Sequence, residues 1–318
     1  MNTLVTTNVG HCQTLLKNGE VVAIPTETVY GLAAHVFNDA AVGRIFELKQ
    51  RPKFNPLIVH LHQMAQLDSV VRHIPKKAQK LMEHFWPGAL TLILPKHPDV
   101  SDLITAGKPT VAVRMPKHPM TRALLQGLDF PLAAPSANPF TRVSPTSAKH
   151  VLHYFNGKIA AILDGGPCEV GLESTIVGFE GETPVVFRKG GIAIEALERL
   201  VGPVRLFTDN ESAPQAPGML LKHYSPRTPL IISSNIRKRL EACTDKRVGV
   251  LSFYADDFPT AETIKVLSPK KDMEEAAKGL FAALHALDAL DLDLIIAEAF
   301  PEEGLGRSIQ DRLRRAAH

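Results

Sequence analysis

The sequence predicts an α/β protein built as two units. Three observations carry this: short β-branched strands alternate with amphipathic helices along the chain, a Pro-rich stretch without periodicity interrupts them at 203–228, and 318 residues suit two cores better than one. With 45% hydrophobic and 22% charged residues, the composition is that of an ordinary globular protein. No apolar run approaches the ~20 residues of a membrane span, and MNTLVTTNVGHC lacks a basic region followed by an apolar one. A cytoplasmic location is expected.

Residues 8–19 predict a helix, with Asn8 as N-cap, Cys12, Leu15 and Leu16 at helical spacing, and Gly19 as the stop. EVVAI (20–24) is a buried strand, ended by Pro25 and a Thr-Glu-Thr turn. Asn38 caps the next helix, whose buried stripe of Val42, Ile45 and Phe46 is continued by Lys49 at its C-terminus. Arg51 and Asn55 follow, and PLIVHL is a strand with His60 near its end. Two helical segments come next, the second over about 75–86, with Lys76, Lys77 and Lys80 as a solvated face. LTLIL (90–94) and TVAVRM (110–115) are strands. Arg114, in so apolar a strand, requires an anionic partner, either an internal carboxylate or a ligand.

PLAAPSANPFTRVSPTS is a Pro-bounded loop of small hydroxyl and amide side chains, in which Ser144 or Thr146 caps a helix near 147–155. IAAILDGGP is strand and turn, and GLESTIVGFEGETPVVFRKGG is a β-hairpin that sets Ser174 and Arg188 at one edge. Helix 193–200 closes a first domain over 1–202, and 203–228 is a linker long enough to lie across another surface. From 229 to 318, strands LIIS, VGVLSF, TIKVL and DLIIAEA alternate with helices 235–243, 272–290 and 305–317, which predicts a smaller domain with a parallel sheet. Arg312, Arg314 and Arg315 read as a solvated helix face.

Several function classes are disfavoured. Cys12, Cys168 and Cys243 are far apart and in no metal-like spacing, and none of the thirteen histidines forms a His-Glu-x-x-His pair. A net charge of +3, from 36 basic and 33 acidic side chains, is too balanced to predict nucleic-acid binding. There is no Walker A loop, kinase motif set or Gly-x-Ser-x-Gly elbow. What remains is a cluster of cations, Lys49, Arg51, Arg114 and Arg188, with no evident nucleophile. That set suits stabilising phosphate charge and holding two substrates together.

The combination PTETVYGLAA, Lys-x-Arg-Pro with Asn-Pro-Leu, TVAVRMP, PSAN followed by SPT, GLESTIV and FRKGG resembles the YrdC-like family. APGMLLKHYSP, the C-terminal unit and GLGRSIQDRLRRAA are similar to its long, two-domain L-threonylcarbamoyladenylate synthases. The resemblance covers nearly the whole chain. It implies a YrdC-like twisted mixed-sheet domain and a smaller Rossmann-like α/β domain. The implied reaction takes L-threonine, bicarbonate and ATP to threonylcarbamoyl-AMP and pyrophosphate. The product then feeds a tRNA threonylcarbamoyl transferase machinery that modifies adenosine beside the anticodon. By this resemblance Thr28, His60, Arg114, Ala134 and Ser174 match threonine-binding positions. Lys49, Arg51, Asn55, Thr110, Ser136, Asn138, Ser144 and Arg188 match ATP-binding positions, and Tyr224 would close over the nucleotide. Lys49, Arg51 and Arg114 would be the catalytic cations, and Mg²⁺ would sit mostly on ATP oxygens and water rather than in a protein cage. The chain departs from the family where Phe140 and Thr141 replace a frequent Ser-Gly. The alternative is a non-catalytic binder of double-stranded RNA or of assembling ribosomes, disfavoured because such a binder needs neither His60 nor Ser174.

Overall fold

The computed structural model describes residues 2–208 and 222–318. The first unit runs β1 (Leu4–Thr6), α1 (Val9–Lys17), β2 (Val22–Ile24), β3 (Gly31–His35), α2 (Asp39–Lys49), β4 (Ile58–His60), a 3-10 segment at Met64–Ser69, α3 (Lys76–Phe85), β5 (Leu90–Pro95), α4 (Asp102–Thr105), β6 (Thr110–Arg114), α5 (Pro119–Gln126), β7 (Leu132–Ala133), α6 (Ala148–Phe155), β8 (Ala161–Leu163), the hairpin β9 (Thr175–Glu180) and β10 (Thr183–Arg188), α7 (Ile194–Val201) and β11 (Arg205–Leu206). The second runs β12 (Leu230–Ser233), α8 (Ile236–Glu241), β13 (Val248–Ser252), β14 (Thr263–Val266), α9 (Met273–Asp288), β15 (Leu294–Glu298) and α10 (Gly306–Ala316). Asn8 and Asn38 cap α1 and α2 as expected, accepting from the amides of His11 and Ala41.

Four expectations need correction. β3 was not foreseen, because GLAAH has small residues and no β-branched side chain; it forms by pairing with β2 and β7. Ser147, not Ser144 or Thr146, caps α6. The expected linker is not wholly irregular: β11 extends the sheet beside β10, while 209–221, including most of APGMLLK, lie outside the described residues. The basic C-terminal face is not uniformly solvated, since Arg312 is completely buried while Arg314 is exposed.

The first unit forms an 11-stranded mixed sheet in the order β1-β8-β2-β3-β7-β4-β6-β5-β9-β10-β11, and the second a four-stranded parallel sheet, β12-β15-β13-β14. Ladder register places the site. His60 lies opposite Arg114, Arg114 opposite Thr91, Ile58 opposite Ala112 and Thr91 opposite Ile176. Paired residues share a face, so one face of the central strands carries His60 and Arg114 beside an apolar patch of Ile58, Ala112 and Ile176. Among the described residues, no helix is long and apolar enough to cross a membrane.

The two units share a core. Val29, Val143, Leu172 and Tyr224 pack with Leu251, Ala277, Leu280, Phe281 and Leu284 of the second unit. Gly171 permits this approach: with φ of +78° at Gly166 nearby and +72° at Gly171 itself, a Cβ on Gly171 would lie 2.4 Å from the Lys278 carbonyl oxygen. Gly171→Ala should therefore lower unfolding free energy by ~2–4 kcal/mol, through strain at positive φ and a backbone clash. Urea denaturation checks this; a loss below ~0.5 kcal/mol, the range of neutral surface changes, would show that the units do not meet there.

Candidate active site

The Thr-Glu-Thr turn between β2 and β3 folds back on itself, since Thr26 Oγ1 donates to the Val29 carbonyl and lies 2.8 Å from Thr28 Oγ1. It delivers Glu27 and Thr28 to the end of β6. There Arg114 Nη2 donates to Glu27 Oε1 at 2.7 Å, Nη1 to Thr28 Oγ1 at 2.8 Å, and Nε to the Gly88 carbonyl at 3.1 Å. The internal carboxylate that an apolar strand demands is thus Glu27, to which the sequence reading gave no role. Burial alone would raise the Glu27 pKa, but Arg114, reinforced by the Lys117 amide, holds it below the usual carboxylate value. A guanidinium has five N–H groups, so one remains on each terminal nitrogen of Arg114 for a ligand's oxygens.

Thr28, Arg51, His60, Arg114, Ala134, Ser136, Ser174, Arg188 and Tyr224, nine of the residues singled out in the sequence, line one cavity together with Glu173 and His223. Its volume is ≈ 40 Å³, room for a few waters rather than for an amino acid and a nucleotide. His60 is buried against the Ile58 carbonyl, and burial, then the Arg114 charge, push its pKa down to about 3. Ser174 Oγ lies 2.7 Å from Thr91 Oγ1, and Arg188 grips Ser174 through both its carbonyl and its hydroxyl at 3.1 Å. Arg51 donates from Nε to the Asn55 carbonyl and from Nη2 to Asn55 Oδ1 and the Pro56 carbonyl. Burial and the nearby Arg188 push the Arg51 pKa down to about 9, so it stays charged at neutral pH and an anion beside it would be stabilised.

Five expected residues stand elsewhere. Lys49 is buried behind the loop and donates to the carbonyls of Ser136 and Asn138 at 2.5 Å each, its pKa well below the ordinary lysine value because of burial and Arg51. Asn138 braces the same loop by donating to the Pro139 and Arg142 carbonyls, and Asn55 holds Arg51. Ser144 Oγ donates to Glu173 Oε1 at 2.6 Å. Thr110 lies on the Arg114 face but four residues back, ~13 Å along the strand, and lines a second cavity of ≈ 450 Å³ with Ile93, Gly178 and Phe187. Thr141 takes φ +68°, the left-handed conformation that a glycine adopts without strain, at the position where family members often carry that glycine.

The roof is the His223-Tyr224 pair. Tyr224 is 1% exposed and holds φ of +62°, with Ser225 tied to the Thr141 carbonyl and His223 to the Arg315 carbonyl. Among the described residues, the Tyr224 hydroxyl and His223 Nδ1 are buried with no hydrogen-bond partner. Such orphaned atoms beneath a roof are expected where a ligand or water completes the set. The sequence reading named Tyr224 but missed His223, Glu173 and Glu27. The histidine stood next to a named residue, and both glutamates sit inside the quoted motifs PTETVYGLAA and GLESTIV.

A family model described as "Telomere recombination", for the Sua5, YciO and YrdC proteins, matches residues 14–190. The chain belongs to the Sua5–YciO–YrdC family. A second model, "Threonylcarbamoyl-AMP synthase, C-terminal domain", matches residues 192–318, giving the two-domain form. A threonylcarbamoyl-AMP synthase of Bacillus subtilis is 44% identical over 314 residues, 95% of this chain and 91% of the relative. One from Pyrococcus abyssi is 40% identical over 320 residues, 95% of this chain and 92% of the relative. The crystal structure of P. abyssi Sua5 complexed with L-threonine superposes with a TM-score of 0.92 at 38% identity, covering 99% of this chain and 96% of that one.

His60 gives a pH prediction. Its folded pKa lies below the ordinary histidine value, so the unfolded chain protonates first and stability falls as pH drops from about 6.5 toward about 3. His60→Gln should abolish ~2 kcal/mol of the stability that the wild type loses between pH 7 and pH 5. Urea denaturation at the two pH values checks it; equal losses in both proteins would contradict a buried neutral His60.

Proposed function

We propose that this chain is an L-threonylcarbamoyladenylate synthase, converting L-threonine, bicarbonate and ATP to threonylcarbamoyl-AMP and pyrophosphate. The observation that carries the reading is one cavity with two unlike halves. Arg114, its charge balanced by Glu27, stands with Thr28, His60 and Ser174. Arg51, held by neutral oxygens, faces the cavity with Arg188. The first half suits a zwitterionic amino acid, whose carboxylate would fork onto the two remaining Arg114 N–H groups. The second half suits a triphosphate, and because the cavity as it stands holds only a few waters, its Tyr224 roof would have to lift to admit both substrates.

Bicarbonate gives up hydroxide to yield CO2, the threonine amine adds to it, and the amine's proton leaves with that hydroxide as water; an oxygen of the resulting carbamate attacks the α-phosphorus of ATP. The bond to the β-phosphate oxygen breaks and pyrophosphate leaves. Arg51 and Arg188 stabilise the charge gathering on the phosphates, so the chain contributes positioning and electrostatics rather than a covalent nucleophile. Tyr224 would roof the nucleotide in the first cavity, and a contact to Thr110 would require it to reach the second cavity beside Ile93 and Phe187. Lys49, Asn138 and Ser144 act by shaping the loops that carry Ser136 and Glu173. Of the described carboxylates, Glu173 lines the cavity, and its oxygens accept from Ser144 and Arg312. Magnesium would accordingly travel on ATP oxygens and water, and no step is assigned to a protein-held ion.

The domains would divide as 1–202, a linker and lid at 203–228, and 229–318. The product would pass to the tRNA threonylcarbamoyl transferase machinery. The cytoplasm suits a chain whose three cysteines are free thiols. Threonine-dependent pyrophosphate release with ATP, bicarbonate and Mg²⁺ tests the reading, and its absence from folded protein would overturn it. Arg114→Ala, made with Glu27→Gln so that no buried carboxylate is left unpaired, should raise the threonine KM by ~10²-fold and the ATP KM by less than ~3-fold. Equal rises would sink the assignment of Arg114.

A further inference from the structure

The last helix reaches the cavity from the other domain. Arg312 of α10 is the largest wholly buried side chain among the described residues. Its Nε donates to Glu173 Oε2 at 2.9 Å and its Nη1 to Asp311 Oδ2 at 3.0 Å. The guanidinium carbon lies 5.1 Å from the centroid of the Tyr224 ring, within cation–π range. One side chain of the second domain thus holds both a wall and the roof of the cavity.

A second tie comes from the same helix face. Ser308, one turn before Arg312, donates to the Gly190 carbonyl at 2.9 Å, and the neighbouring Gly191 amide donates to the Glu173 carbonyl at 2.9 Å. A Cβ on Gly190 would lie 2.4 Å from that carbonyl oxygen, so the 190–191 turn and residue 173 meet backbone to backbone. Glu173 also accepts from Ser144 on the opposite loop and immediately precedes Ser174. Its position therefore sets the spacing of both loops across the cavity.

We propose that Arg312 is a positioning residue of the catalytic site: by fixing Glu173 and the Tyr224 ring, it makes the C-terminal domain part of the substrate geometry rather than a tether. This rests on the proposed synthase reaction. Displacing the roof and the 173–174 wall should weaken both substrates, ATP more strongly because Tyr224 moves over the nucleotide. Small displacements of positioning groups carry large kinetic effects.

The experiment uses the full chain and separates position from stability. Arg312→Met alone leaves Glu173 buried and unpaired, so the informative protein is Arg312→Met with Glu173→Gln, which removes that charge as well. The expected result is a melting temperature near that of the wild type with an ATP KM raised ~10-fold or more and kcat within ~3-fold. Arg312→Lys, which keeps the charge but loses the planar face toward Tyr224, should raise the ATP KM ~3-fold or more at unchanged fold. Arg314→Ala, on the exposed side of the same helix and paired with Glu302, should behave as wild type. If either Arg312 variant folds and retains wild-type KM values for both substrates, the inference is overturned. If wild type itself releases no threonine-dependent pyrophosphate, the synthase reading has failed instead.

Discussion

The structure depends on how buried positive charge is compensated around one cavity. Arg51, Arg114, Arg188 and Arg312 are all buried there, and each would be strongly destabilised in isolation. Among the described residues Glu27 and Glu173 are the fully buried carboxylates beside them, Glu27 pairing with Arg114 and Glu173 with Arg312, which also bonds the half-buried Asp311. Arg51 and Lys49 are held by backbone and amide oxygens instead. The consequence is a charge gradient. Among the described residues, the cavity is nearly balanced where the carboxylates sit and positive toward Arg51.

The fold supplies the rigidity this arrangement needs. His60 and Arg114 face each other across a parallel ladder, and Thr91 is fixed opposite Arg114 on the other side. Loops then bring the groups that strands cannot. The Thr26–Thr28 turn is locked by its own hydroxyls, and the 136–142 loop is clamped from behind by Lys49 and Asn138. The linker residue Tyr224 and the second domain, through Arg312 and the shared core around Phe281, complete the enclosure.

Much of this was legible in the sequence, for reasons that can be named. Alternating strands and capped helices are local, so α1, α2, the 175–188 hairpin and every element of the second domain could be read from neighbouring residues. Arg114 was recognisable because a cation in an apolar strand poses a question that only a partner answers. Roles that depend on residues far apart were not legible. Lys49 reads in the sequence as a ligand cation and Ser144 as a cap or phosphate contact, and only the fold shows the two loop carbonyls against the one and Glu173 against the other. Arg312, in a run of basic residues on an amphipathic helix, gives no local sign that its face is the one pressed against another domain. β3 failed for a different reason: its small residues carry little strand preference, and pairing on both sides makes it a strand.

In the proposed reaction the carboxylates would divide the cavity: Arg51, which has no carboxylate partner among the described residues, would serve the nucleotide, and the balanced region around Arg114 would serve the amino acid. Calorimetric titration of ATP and of threonine into Arg51→Ala tests this most directly. The expected result is an ATP Kd raised ~10-fold or more, with threonine affinity within ~2-fold of wild type. A threonine affinity that falls as far as the ATP affinity would contradict the division.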